Sequence, residues 1–193
     1  MSLYTDIQSA VFVWTNRPKL IAETDLAIKQ ALRTAHKAGS FYRDLVELVL
    51  TLQPTSTIQQ LDMSVLAPRY RQLAYVKPTG ADLIYKPITI QELMDQDGYF
   101  KTDVYYGVGQ YLNIRANSPS ADLTLCYYQY PTTNPIASID SWIAEFHQDL
   151  IVLWASASIL ALIGETEVKT RVEALARIEF QRLIEDSTTI ERR

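Results

Sequence analysis

Cysteine, histidine, glycine and excess positive charge are all scarce in this chain, and each shortage excludes something. A single cysteine, Cys126, rules out an internal disulfide framework and fits a reducing cytosol. Two histidines, His36 and His147, each stand alone in their segments, and no third donor follows at a metal-ligand spacing. Among the six glycines, Gly107-Val108-Gly109 lacks the third glycine and the following Lys-Ser/Thr of a phosphate-binding loop. The formal net charge of -4 provides no global basic field for gripping phosphates. Long apolar runs are missing too. The Leu150–Ile163 stretch falls short of the roughly 20 residues that cross a bilayer, and Asp149 and Glu165 flank it. The start, Met1-Ser2-Leu3-Tyr4-Thr5-Asp6, has neither the basic beginning nor the apolar run of a signal peptide.

What remains is an ordinary globular composition. Hydrophobic residues at 48% against 21% charged are enough to bury a core, and 193 residues suit one domain. Leu3, Ile7, Ala10, Val11 and Trp14 recur at helical spacing, and Pro18 reads as the opening of a second helix carrying Ile21, Ile28, Ala31, Leu32 and Ala35. Arg33 and Lys37 suit that helix's C-terminal end, with Gly39 as its cap. Trp142, Phe146, Leu150, Leu153, Trp154, Ala157, Leu160 and Ala161 predict a long helix stopped by Gly164. A final helix follows from about Glu165 to Asp186, with acid-first pairs Glu165–Lys169, Glu167–Arg171 and Glu173–Arg177 on its wet side. Ser187 to Arg193 lacks periodicity and reads as a mobile tail.

Between the helical ends the period changes. Leu45–Leu52, Ile58–Val65 and Tyr70–Val76 read as short strands, with breaks at Pro54 and Pro68. Thr89-Ile90-Gln91-Glu92 is a capping box opening a short helix through Asp95, before an Asp97-Gly98 turn. Val104–Arg115 and Leu123–Tyr130 flank Asn117-Ser118-Pro119-Ser120 and predict a β-hairpin, with a bulge permitted at Gly107 and Gly109. The expected fold is therefore mainly α (α+β): a bundle of an N-terminal helix pair (2–38) and long C-terminal helices (136–186), with a β-hairpin or small antiparallel sheet inserted at 41–131. Residues 1–186 form one domain in this reading, and 187–193 the tail.

Chemistry is sparse. His147-Gln148-Asp149 is the best starting point for an enzyme, yet both histidines read as surface or helix-end residues. Cys126 sits in an alternating strand as a small hydrophobe without a basic neighbour to activate it. Asp95, Asp97 and Asp103 lack the remainder of a Ca2+-loop pattern. No catalytic residue, cofactor or metal is expected. Aromatic placement says more. Seven of twelve tyrosines lie between Tyr99 and Tyr130: Tyr99, Tyr105, Tyr106, Tyr111, Tyr127, Tyr128 and Tyr130. Adjacent tyrosines on a strand point to opposite faces, so Tyr105/Tyr106 and Tyr127/Tyr128 would coat both sides of the hairpin. They serve either as cross-strand pairs or as a subunit interface, where tyrosine combines apolar area with a polar tip.

Taken together these segments resemble the head-to-tail adaptor, or connector, proteins of tailed bacteriophages. The likeness runs through Ala31-Leu32-Arg33-Thr34-Ala35-His36-Lys37-Ala38 and Phe41-Tyr42-Arg43-Asp44-Leu45, then Ala67-Pro68-Arg69-Tyr70-Arg71-Gln72-Leu73-Ala74-Tyr75-Val76. It continues through Tyr105–Arg115, Leu125–Pro131 and the helix around Trp142–Glu145 and Leu150–Ser158. The resemblance implies a structural virion protein, a homo-oligomer closing as a ring of about twelve copies. Such a ring docks beneath the portal protein in the neck of the virion and presents a platform to a tail or nozzle protein. It extends a channel through which double-stranded DNA passes without sequence-specific binding. The protein would be made in the host cytoplasm and would not engage a membrane. Some relatives carry a C-terminal arm onto the portal; here only Ile190, Arg192 and Arg193 are available for that contact. Competing readings are a head-closure or tail-completion protein at another level of the neck, or a small module holding nucleic acid or peptide on its tyrosine-rich hairpin.

Overall fold

In a computed structural model of the chain, the described residues are 2–51, 58–94, 101–117, 122–134 and 136–191. The chain divides into two compact units, Met1–Asp44 with Tyr130–Arg193, and Leu45–Gln129.

The first unit is helical. Helix α1 (Leu3–Thr15) starts where the Ser2 hydroxyl accepts from the Thr5 N–H, and it ends at Asn16 in the left-handed region. Pro18 lies in the following turn rather than in the next helix, and α2 spans Ile21–Lys37. Gly39 is not a left-handed cap. A Cβ there would come within 2.8 Å of the Phe41 ring, so the glycine is required by close packing. The long helix expected from Trp142 is broken into α5 (Trp142–Phe146) and α6 (Gln148–Leu162), with His147 at φ -130° between them. No proline or glycine marks that break in the sequence. Helix α6 is buried over most of its surface, with Leu150, Ile151, Val152, Leu153, Ala155, Ser156, Ala157, Ile159 and Leu160 all enclosed and only the strip through Trp154, Ser158 and Ala161 and the helix ends open. It is surrounded by α1, α2 and α7 (Thr166–Glu191). A helix apolar over so much of its surface is a core helix. Ile7 and Val11 from α1, Ile28 and Leu32 from α2, and Leu183 from α7 complete the same core. Helix α7 runs to Glu191, past the expected end at Asp186, so the segment read as a tail is helical as far as Glu191.

The second unit is built of strands. Strand β1 (Leu45–Thr51), β7 (Asp122–Gln129) and β3 (Tyr70–Pro78) form a three-stranded antiparallel sheet in the order β1-β7-β3. Strand β2 (Ile58–Asp62), β6 (Tyr111–Arg115), β5 (Val104–Val108) and β4 (Lys86–Pro87) form a second sheet in the order β2-β6-β5-β4. Both sheets contribute to one core, with Leu61, Leu112 and Ile114 from one and Val76, Leu123, Leu125 and Tyr127 from the other. Between strands, Asp62 accepts from the Ser64 N–H at 2.9 Å and turns the chain into α3 (Met63–Leu66), which ends the expected Ile58–Val65 strand early. The predicted capping box forms. Thr89 Oγ1 accepts from the Glu92 N–H at 3.1 Å, Glu92 accepts from the Thr89 N–H at 2.7 Å, and α4 spans Ile90–Met94.

These sheets correct two expectations. A mainly helical bundle with one small hairpin is not what forms; the fold is α+β, with sheets of three and four strands. The hairpin is also drawn from other residues. Val104–Arg115 folds back on itself as β5 and β6 around Gly109-Gln110, with Gly109 at φ 60° in the first turn position that only glycine adopts freely. Strand β7 leaves that partner and pairs with β1 on one side and β3 on the other. The reason lies in its burial. Leu123, Leu125 and Tyr127 enter the core, while Thr124 and Cys126 on the opposite face are enclosed as well. A strand buried on both faces belongs in the centre of a sheet. Pro54, Asp95, the Asp97-Gly98 turn, Tyr99, Ser118-Pro119-Ser120 and Pro135 lie outside the described residues.

Candidate functional site

The densest polar cluster lies inside the helical unit. His36 near the end of α2, Asp44 in the turn after it, and Ser141-Trp142 at the start of α5 meet across 105 residues of sequence. His36 Nδ1 lies 2.8 Å from Asp44 Oδ1; a carboxylate only accepts, so Nδ1 carries a proton toward it. His36 Nε2 lies 2.9 Å from Ser141 Oγ. Trp142 Nε1–H donates to the same Asp44 Oδ1 at 2.8 Å. The order hydroxyl, imidazole, carboxylate is that of an activated serine nucleophile. Its surroundings are those of a clamp. His36, Asp44 and Ser141 are 1%, 3% and 7% exposed, and Ser141 Oγ is already held as the helix cap by the Ala144 N–H at 3.1 Å. Trp142 closes over the cluster, edge-on to His36 and to Phe41, and the Arg43 guanidinium lies 5.4 Å from its ring centre. Of the surface or helix-end position expected for His36, the helix end holds, since it stands in the last turn of α2, and the surface is corrected: the ring is enclosed and its partners come from distant segments, which no local pattern announces.

His147 does sit at a helix end, closing α5 and opening α6. It faces Asp186 of α7 at 3.7 Å rather than forming an isolated pair with Asp149. Among the described residues no group of three His, Cys, Asp or Glu side chains is arranged to hold a metal ion. Cys126 is buried in β7, beneath a hydrogen bond from the Tyr75 hydroxyl to Glu47. Burial, above all, pushes the thiol up from its ordinary value.

The tyrosines do not form one ribbon. Tyr105, Tyr106 and Tyr111 belong to the four-stranded sheet; Tyr127 and Tyr128 belong to the three-stranded one. Tyr127 is a core residue, and Tyr105 packs against that core from its edge. Burial raises the Tyr105 hydroxyl above its usual range. Tyr128 carries Arg71 over its face at 5.1 Å, and Tyr111 is exposed. The two-sided aromatic coat expected of a hairpin is thus corrected to separate core and surface roles. Ile190 lies in α7, and Arg192 and Arg193 lie outside the described residues.

Surfaces offer more than single groups. A groove of about 540 Å3 in the helical unit runs between α2, α6 and α7, floored by Ala31, Ala157 and Ala161 and rimmed by Lys169, Glu173 and Arg177. A second, of about 370 Å3, is lined by Trp14, Val152, Leu153, Leu175 and Ile178, with Asp149, Glu179 and Arg182 at its margin. Apolar floors with charged rims suit the side chains of another polypeptide. Large apolar side chains also stand in water nearby: Val13 is 81% exposed, Phe146 62% and Leu162 64%. No signal beyond the amphipathic pattern foretold these positions, because a periodic apolar residue looks the same whether its neighbour is inside or outside the chain. No helix among the described residues is long and apolar enough to cross a membrane. Compared with known protein families and with curated proteins, the chain matches none.

Proposed function

We propose that this chain is a structural assembly protein of a tailed bacteriophage, the head-to-tail adaptor that forms a ring beneath the portal and offers a platform to tail components. The observation that carries the reading is the amount of large apolar surface left in water on the helical unit. Val13, Trp14, Leu26, Phe146 and Leu162 are each at least 45% exposed. Of these, Trp14 shares one groove with the exposed Leu175 and Ile178, and contiguous apolar surface of this kind marks a place that other proteins cover. The adaptor assignment itself rests on the segmental resemblance, and the net charge of -4 suits a channel that passes DNA without gripping it. The sealed state of the Ser141–His36–Asp44 cluster favours a contact role over turnover.

Native mass spectrometry and negative-stain imaging of the full chain, with and without portal protein, test the proposal. Ring formation, alone or on portal, is the expected result. A chain that stays monomeric and ignores portal at micromolar concentration overturns it. The head-closure or tail-completion reading predicts binding to an assembled neck but not to portal alone. The nucleic-acid reading is disfavoured by the division of the tyrosines between two sheets.

A further inference from the structure

In its C-terminal half the outward face of α2 carries charge of one sign. From Lys29 to Lys37 the residues of that helix that are not buried are Lys29, Gln30, Arg33, Thr34 and Lys37, each a hydrogen-bond donor and none acidic or apolar. Lys29, Arg33 and Lys37 stand four residues apart, so they form one ridge along the helix. Like charges at that spacing weaken a helix, and an acid one turn away relieves them. Helix α7 has such acids, pairing Arg171 with Glu167 at 2.5 Å, Lys169 with Glu173 at 3.5 Å and Arg182 with Glu179 at 2.5 Å. Helix α2 does not. Asp25, one turn before Lys29, is turned to α1 instead, where Tyr4 donates to it at 2.5 Å and Gln8 at 3.0 Å. Among the described residues none of the three cations has an acidic partner. The dipole at the helix C-terminus accounts for Lys37 alone, because its effect fades within the last turn. Beside the ridge opens the groove of about 540 Å3 between α2, α6 and α7, with Gln30 and Thr34 on one wall and Arg177 on the other. Arg177 too lacks an acidic partner among the described residues, since Glu173, the expected one, is taken by Lys169.

We infer that this face of α2, with Arg177 across the groove, is a contact surface for the phosphates of double-stranded DNA. Residues four apart along a helix rise about 6 Å. Phosphates on one strand of a duplex advance about 3.4 Å per step, or about 6.8 Å over two, so successive cations of the ridge can meet alternate phosphates. Hydroxyl and amide donors such as Thr34 and Gln30 belong to backbone contacts of this kind. The same composition argues against a protein partner, whose interface depletes lysine and sets aromatic or apolar anchors at its centre. It argues against a single strand as well, because no aromatic ring stands on the ridge for bases to stack on. Phosphate contacts carry no sequence information, and four cations on a chain of net charge -4 hold a duplex only weakly. The inference goes beyond the adaptor reading. A single copy carries the whole surface, so DNA contact and ring formation stand or fall separately.

Fluorescence anisotropy of a labelled mixed-sequence duplex, titrated with the full chain across a salt series, tests the inference. Binding should weaken with salt at a log–log slope of about -3.6 for four neutralised phosphates. Arg33→Gln should reduce the size of that slope by about one, and Arg33→Glu should weaken binding by about tenfold or more. The carboxylate that Arg33→Glu introduces stands one turn from both Lys29 and Lys37. This variant should therefore hold or raise the thermal midpoint while losing the duplex, an outcome that a merely structural role for Arg33 does not give. Arg171→Glu makes the same change in net charge away from the groove and should leave affinity within about twofold. No salt-sensitive binding by the parent, an affinity indifferent to Arg33→Glu, or equal loss with Arg171→Glu overturns the inference. So does tighter binding of poly-glutamate than of the duplex, which would assign the face to an acidic protein.

Discussion

Asp44 is the residue on which the buried cluster depends, because its Oδ1 accepts from both His36 and Trp142. Asp44→Ala leaves one enclosed donor, His36, and one half-buried donor, Trp142, without their acceptor; the enclosed one alone should cost about 1–3 kcal/mol, measured as a lowered urea midpoint. Ser141 is expected to stay unmodified by a serine-reactive fluorophosphonate under native conditions, by intact mass; rapid labelling there would reopen the nucleophile reading. Tyr4 gives a pH dependence of definite sign. Its hydroxyl donates to Asp25 at 2.5 Å, and burial first, then that bond, raises its pKa from 10.0 to about 12. A group raised on folding contributes stability fully below its unfolded value and loses it as pH rises through the folded one. Stability should therefore fall between pH 10 and about 12, and Tyr4→Phe should flatten that part of the urea-midpoint profile. At this scale the sequence exposed little. Histidine, aspartate and serine in three distant segments carry no pattern that says they meet, whereas the Thr89–Glu92 box was readable because its partners are three residues apart.

Elements were easier to read than their neighbours. Helices α1, α2, α6 and α7 follow from periodic apolar residues, and strands β1 and β3 from short β-compatible runs set off by Pro54 and Pro68. What a strand pairs with is a non-local choice. The alternation in β7 points to one apolar face and so to a hairpin partner, whereas the fold buries both faces between β1 and β3, and the hairpin turn at Gly109-Gln110 lies inside what reads as a single strand. The break at His147 is invisible in the sequence for a plainer reason: no helix-breaking residue stands there. Helix α6 carries the clearest consequence of element burial. Ile151 is fully enclosed, so Ile151→Ala should destabilise the helical unit by about 2–5 kcal/mol, read from thermal or urea unfolding. Leu162, 64% exposed at the end of the same helix, should tolerate alanine within about 0.5 kcal/mol.

On the scale of the whole molecule, the strand-built unit Leu45–Gln129 interrupts the helical one in sequence while having a core of its own. Excised residues 45–129 should accordingly fold alone, with a β-type circular dichroism spectrum and a cooperative melt. A featureless spectrum would show that its core is insufficient without the rest. The helical unit has the opposite property. Helices α1 and α2 bury Ile7, Val11, Ile28 and Leu32 against α6, which begins only at Gln148. On the ribosome these apolar stripes must therefore wait while more than a hundred residues are made, roughly five to twenty-five seconds at ordinary elongation rates. Through that interval the nascent chain presents a sticky, half-finished helix pair, which makes early chaperone capture and sensitivity to late truncation built-in properties of this arrangement.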